Sequence, residues 1–216
     1  MKYKFLLLLL MFCHVKGANY NYFSQFEQDK YIHEKFFLNK LNGTFVDIGA
    51  FDGVTISNTF FFEKHLNWTG ICVEPNPKIF KKLKKNRSCI CIEGGIAEST
   101  GKQNFRLAGV LSGLVDYYDE RHMQRYNLYA KPVIEVQCYT LESILKKHGI
   151  FDIDFLSIDT EGNELSILKT IDFNKISIDV ITVENNYGNK EIRVFLEEKG
   201  YKLVKRLGVD EIYKKA

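Results

Sequence analysis

The chain has 216 residues, 45% of them hydrophobic and 26% charged, the mix of one globular domain with a sizeable core. Three prolines and 15 glycines exclude a collagenous or low-complexity chain, and no apolar run approaches the roughly 20 residues needed to cross a bilayer. Of the net charge of +3, all is contributed by Lys2, Lys4 and Lys16; residues beyond 17 carry 27 bases against 27 acids, and nothing in that balance points to nucleic acid.

Residues 1–17 read as a targeting leader. Two early lysines precede an apolar run from Phe5 to Phe12, and Gly17, with Val15 two residues before it, offers a cleavage point ahead of Ala18. Cleavage implies a secretory or secreted protein whose working domain is residues 18–216; retention implies a cytosolic or membrane-anchored one. Cys13 lies in the leader. Cys72 and the Cys89/Cys91 pair fall on neighbouring predicted strands, where free thiols packing as small hydrophobes are favoured over a bridge, and Cys138 stands apart.

From Ser24 onward short apolar runs alternate with amphipathic stretches, the pattern of an α/β sheet with crossover helices. Ser24 and Glu27 form a capping box that predicts a helix to about Leu38. Thr44–Ile48 is a first strand, Ser57 caps a helix to about Leu66, and Gly70–Glu74 is a second strand. Asn76 caps the next helix, with Pro77 in its first turn and a lysine-rich solvent face. Strands are predicted at Cys89–Ile92 and Asn104–Leu107. Residues 109–132 mix tyrosines with acids and His122, an irregular insert that serves either as a lid stacking an acceptor or as a plain flap of core; His122 has the chemistry of a base and is placed at the surface. Val133–Cys138, Phe155–Ile158 and Asp179–Val183 are strands, Thr140, Asn163 and Glu191 open helices, and Tyr201–Lys205 with Val209–Tyr213 closes as a hairpin.

Ligands of open α/β sheets bind outside the carboxyl ends of the strands, so polar residues gathering there mark a site. Four strand ends carry them. The first delivers Val46-Asp-Ile-Gly-Ala-Phe-Asp-Gly53, in which Gly49 and Gly53 permit a positive φ and a close backbone approach. The second ends in Glu74-Pro-Asn76, and a carboxylate there can accept both hydroxyls of a ribose. The later two end in Asp159-Thr-Glu-Gly162 and Glu184-Asn-Asn186. The glycine turn lacks the second glycine of a dinucleotide fingerprint, having Phe51 in its place, and Asp47 precedes it. Acids there repel phosphates and suit a phosphate-free nucleoside such as S-adenosylmethionine.

Ser24-Gln-Phe-Glu-Gln-Asp29, Phe45-Val-Asp-Ile-Gly-Ala50, Gly70-Ile-Cys-Val-Glu-Pro-Asn76, Phe155-Leu-Ser-Ile-Asp-Thr-Glu-Gly-Asn-Glu164 and Val183-Glu-Asn185 together resemble the FkbM family of S-adenosylmethionine-dependent methyltransferases. The resemblance implies a Rossmann-like α/β fold: a mostly parallel seven-stranded sheet with helices on both faces and a C-terminal antiparallel hairpin. It implies O-methylation of a hydroxyl on a small molecule or glycan, with S-adenosyl-L-methionine as donor. By the same resemblance Asp47, Gly49, Ala50 and Gly53 line the methionine side, Glu74 the ribose, and Ile96 and Ala97 the adenine region, with Phe51, Asp52, Asn58, Pro75, Asn76, Gly95 and Asp159 as further candidates for binding the donor. Ser157 stands where many members have lysine. Asp159 or Glu161 is the candidate base, with Glu184 or Asn185 orienting the acceptor. These acids are also of the type that gathers Mg²⁺, although no metal is predicted. A catalytically inactive secretory accessory protein on the same scaffold is the alternative.

Overall fold

A computed structural model describes residues 20–216, so the leader predicted over residues 1–17 lies outside the described residues. None of the helices it describes is long and apolar enough to cross a membrane. The chain runs α1 (Gln28–Phe36), β1 (Thr44–Ile48), α2 (Phe60–Leu66), β2 (Thr69–Glu74), α3 (Pro77–Asn86) and β3 (Ile90–Glu93). Short β4 (Gly95–Ile96), β5 (Gly101–Arg106), β6 (Gly113–Leu114), α4 (Glu120–Arg125) and β7 (Val133–Tyr139) follow. The last part is α5 (Leu141–His148), β8 (Asp152–Ile158), α6 (Glu164–Lys169), β9 (Ser177–Glu184), α7 (Lys190–Glu198), β10 (Tyr201–Leu207) and β11 (Asp210–Lys215).

Seven strands form the main sheet in the order β10-β11-β9-β8-β1-β2-β3, parallel from β9 to β3, with β11 antiparallel to both of its neighbours. Side-chain alternation along the strands divides the core in two. Val46, Ile48, Val73, Leu156 and Ile158 pack with the inner faces of α5, α6 and α7. Phe45, Cys72 and Phe155 pack on the opposite face with Ile32, Phe61, Phe62 and Leu83 of α1, α2 and α3. Helices therefore cover both faces, and the strand order reverses at β1, flanked by β2 and β8, which is where such folds open a crevice.

The strands predicted near 104–107 and 133–138 do not join this sheet. They pair with each other, antiparallel, in a second sheet of order β4-β7-β5-β6 set over the carboxyl end of β2 and β3. Other local expectations change as well. Helix α1 starts at Gln28, Glu27 takes a left-handed φ of 62°, and no capping box forms. Ser24 instead donates its hydroxyl to the buried Asp29 side chain at 2.6 Å, and the same side chain accepts the Phe23 amide at 2.6 Å, because its two acceptor oxygens inside the first turn draw donors more strongly than a hydroxyl does. Asn76 caps α3 as expected, accepting from the Lys78 amide at 3.0 Å. Cys72 and Cys89 are neighbours, their Sγ atoms 3.6 Å apart.

Candidate active site

Each wall of the crevice comes from a strand end. Gly49 turns the chain out of β1 with a φ of 86°, and the amides of Gly49 and Ala50 both donate to the Val73 carbonyl of β2. A methyl on Gly49 would lie 1.7 Å from the Asp159 carbonyl oxygen at the end of β8, so only hydrogen fits there. The cavity above this turn encloses about 840 Å³ of empty space, including its open mouth. Asp47, Gly49, Ala50, Phe51, Asn58, Glu74, Pro75, Gly95, Ile96 and Asp159, all candidates from the sequence, line it. Ser57 and Ser157 join them, and Gly109, Val110 and Ser112 of the insert roof it.

Four expected donor residues do not reach this cavity. Asp52 folds back to accept the Val54 and Thr55 amides at 3.0 and 2.8 Å. Gly53 is packed under Leu83 and Arg87, and the side chain of Asn76 is spent on its helix cap. Ala97 is fully buried in the hydrophobic cluster beneath the small sheet. In each case a local hydrogen bond or packing contact engages a residue that the family resemblance assigns to the donor.

Asp47 and Glu74 are both buried and held differently. Asp47 accepts the Thr59 hydroxyl at 2.6 Å and lies 3.9 Å from Arg87, yet burial still pushes its carboxyl above the usual range. Arg87 itself donates to Glu63 at 2.5 Å, to Thr59 at 3.0 Å and to the Gly53 carbonyl at 3.2 Å, locking the glycine turn to α2. The sequence shows this residue only as one arginine ending a run of lysines. Glu74 accepts the Asn76 amide at 2.7 Å, and burial raises its pKa to about 7. Two amide groups bring acceptors that sequence reasoning did not single out together. Asn163 donates to the Ile96 carbonyl at 2.8 Å and Asn58 to the Ser157 hydroxyl at 3.1 Å, leaving both Oδ1 atoms buried without a donor in the cavity wall.

Beside the first cavity lies a second of about 960 Å³, lined by Tyr117, Arg121, His122, Glu161, Glu184, Asn185, Asn186 and Tyr187 among others. Asp159 lines the first, and Glu161 and Glu184 line the second, yet each of the three offers an oxygen within 4.8 Å of the others. Glu164 braces the loop between them, accepting from the Thr160 amide and hydroxyl at 2.9 Å and the Gly162 amide at 3.0 Å. That bracing holds Glu161 at a φ of 63°, a left-handed conformation costing a non-glycine residue about 1–2 kcal/mol. Burial first, and then neighbouring carboxylates, raises the pKa of Asp159 and Glu184 well above the usual range and that of Glu161 to about 8.

His122, placed at the surface by sequence reasoning, is only 3% exposed. Its Nε2 lies 3.2 Å from Glu161 Oε2, off the line of a hydrogen bond, and burial lowers its pKa. No local pattern in a polar, tyrosine-rich stretch signals this; the turn that follows α4 is held from outside by Arg106, which donates to the Leu128, Tyr129 and Lys131 carbonyls at 2.9, 3.2 and 3.1 Å.

A search of curated proteins finds no match. The chain is similar in structure to an FkbM methyltransferase from Methylobacillus flagellatus, with 15% identity, a TM-score of 0.49 and coverage of 86% of this chain and 50% of that one. This chain thus spans half the length of that protein. It is also similar to a TehB-like SAM-dependent methyltransferase from Corynebacterium glutamicum, at 10% identity, 89% coverage of both chains and a TM-score of 0.48. A fibrillarin from Aeropyrum pernix, solved with S-adenosyl-L-methionine, shares 12% identity over 81% of this chain and 67% of its own, at a TM-score of 0.44. The sequence itself matches the model of the methyltransferase FkbM domain over residues 47–203, well over half of its length. The chain belongs to the FkbM methyltransferase family.

Proposed function

We propose that the protein transfers a methyl group from S-adenosyl-L-methionine to a hydroxyl of a small molecule or glycan, with the donor in the first cavity and the acceptor in the second. The observation that carries this reading is the junction: Asp159 of a cavity rich in unpaired acceptors and Glu161 and Glu184 of a polar, aromatic-walled one bring their carboxyl oxygens within 4.8 Å of one another. When bound, the donor supplies an electrophilic methyl on a positively charged sulfur.

Residues of this chain do the rest. Ionised Glu74 accepts the two ribose hydroxyls, and the orphaned Oδ1 atoms of Asn58 and Asn163 accept N–H groups of the donor; an unpaired buried acceptor costs about 1–3 kcal/mol until a donor arrives. Asp159 faces the first cavity, and its carboxylate favours positive charge there. Tyr117, Tyr187 and Arg121 present flat faces to the acceptor, while Asn185 and Asn186 offer amides to its hydroxyls. Alignment of acceptor oxygen and methyl supplies most of the rate. The proton of the acceptor hydroxyl passes to the Asp159/Glu161 pair, with Glu184 and Asn185 orienting the acceptor.

Calorimetric titration with S-adenosyl-L-methionine is the first test: saturable heat is expected, and none at millimolar donor would favour an accessory protein that has lost catalysis. Mass spectrometry of hydroxylated acceptor pools incubated with isotopically labelled donor is the second. In any acceptor so found, Asp159→Asn and Glu161→Gln are expected to slow turnover about 10²–10⁴-fold with the fold intact; near-normal turnover in both would remove the proton-accepting role.

Glu74 gives the donor cavity a pH dependence. Only the ionised carboxylate accepts both hydroxyls, and its free-state pKa of about 7 lies inside the working range. Lowering the pH through that value protonates it, so donor affinity should be about tenfold weaker at pH 6 than at pH 8. Glu74→Gln should bind about 10–100-fold more weakly at pH 8 and lose that pH dependence. An unchanged pH profile in the variant would detach Glu74 from the ribose.

A further inference from the structure

We propose that the outward face of α3 docks the protein on a membrane surface rich in anionic phospholipid. The helix reads Pro-Lys-Ile-Phe-Lys-Lys-Leu-Lys-Lys-Asn, five lysines and no acid in ten residues. Leu83 turns into the core, while Lys78, Lys81, Lys82, Lys84 and Lys85 are all exposed. Among the described residues, none of the five lies within ion-pair distance of an acid. Asp52 feels the charge of Lys82, but its oxygens are spent on Val54 and Thr55. Helices α5, α6 and α7 on the other side of the sheet carry five lysines and arginines against five acids. The positive charge is thus confined to one side and left uncompensated there.

Where the chain enters the fold points to the kind of anion this face meets. Tyr20 packs on Phe61 and His65 of α2, with ring centres 5.3 and 5.4 Å apart, and Phe23 packs on Phe60 at 4.8 Å. Exposed Lys64 lies over Phe23 and Phe60, and Arg87 ties the end of α3 to α2 through Glu63. Entry is therefore beside the basic face. In sequence, the apolar run of residues 5–12 ends eight residues before Tyr20, a reach of at most about 28 Å. That run is too short to span a bilayer, and one short apolar segment binds a membrane only marginally; a polybasic face nearby supplies the second attachment that stable anchoring needs. The composition of the face agrees. Lysines act as point charges and suit a diffuse anionic surface, whereas nucleic acid is gripped by arginine forks and stacked aromatics. Arg87 is turned inward, and no aromatic of α3 is exposed.

The test mixes the full chain with vesicles of phosphatidylcholine alone, or with about one third phosphatidylserine, and measures the bound fraction by sedimentation. Each lysine close to such a surface contributes about fivefold to partitioning. Binding to the phosphatidylserine vesicles is expected to be tighter by about tenfold or more at about 0.1 M salt, and to fall to the phosphatidylcholine level at about 0.5 M. Lys81→Gln combined with Lys85→Gln should lose about tenfold of that preference. Lys146→Gln combined with Lys147→Gln on α5 should keep it, and unchanged melting temperatures verify both folds. Equal binding to the two kinds of vesicle, a wild-type preference in the α3 variant, or the same loss in the α5 variant overturns the proposal. Tighter binding to double-stranded DNA than to the vesicles at the same salt also overturns it and gives the face to nucleic acid. Docking and methyl transfer fail separately, since vesicle binding is measured without donor and donor titration without vesicles.

Discussion

Replacing Arg87 with methionine should destabilise the protein by about 3–5 kcal/mol, the usual result of leaving buried carboxylates without their cation. The Arg87 side chain is fully buried, and its charge lies 2.5 Å from Glu63 and 3.9 Å from Asp47, acids that are 12% and 7% exposed. Methionine fills much of the volume against Phe45 and Phe60, so the loss reports charge and hydrogen bonding more than cavity formation. At about 2–4 °C per kcal/mol for a domain of this size, the melting temperature should fall by about 10 °C. Adding Glu63→Gln to the variant should recover part of the loss, since one stranded charge is then removed. A double variant as unstable as the sum of its parts would show that Arg87 and Glu63 are not coupled.

Gly49→Ala should do comparable damage by a different route. The added methyl meets the Asp159 carbonyl at 1.7 Å, and the residue sits at a φ of 86°, where L side chains are strained. Both obstacles are backbone, so no rotamer relieves them, and β1 must move away from β8 where Asp159 donates its amide to Ile48 at 3.0 Å. A cost of about 3–5 kcal/mol is expected by chemical denaturation. Any folded fraction should bind donor at least tenfold more weakly, because the turn and Asp159 shift together. Wild-type stability and affinity would mean that the strand ends yield more easily than this contact allows.

How far the sequence alone carries is visible in these two positions. Gly49 was legible: a strand of Phe45-Val-Asp-Ile48 running into glycine at a strand end announces a turn beneath a ligand. The parallel strands were legible for a related reason, since Phe155–Ile158 and Asp179–Val183 are mostly apolar runs that suit a sheet covered on both faces. Arg87 was not, because its partners come from β1, α2 and a turn, and no local pattern records a contact made across three elements. His122 fails likewise: its burial is created by the meeting of α4 with the loop after β8. The small sheet escaped as well, for β4 and β6 are two residues each, below the length at which alternation can be read. Where a residue's role is set by its own strand the sequence speaks plainly; where distant segments meet, or a buried neighbour such as Asp29 takes a cap's donors, it is silent.

The insert between β5 and β7 touches both compartments, Gly109 and Ser112 at the first and Tyr117, Arg121 and His122 at the second, while the residues that would hold the donor's ribose and sulfur come from the strands beneath it. Rewriting these two dozen consecutive residues would therefore reshape the second compartment and the roof of the first, while the strand ends beneath stay in place.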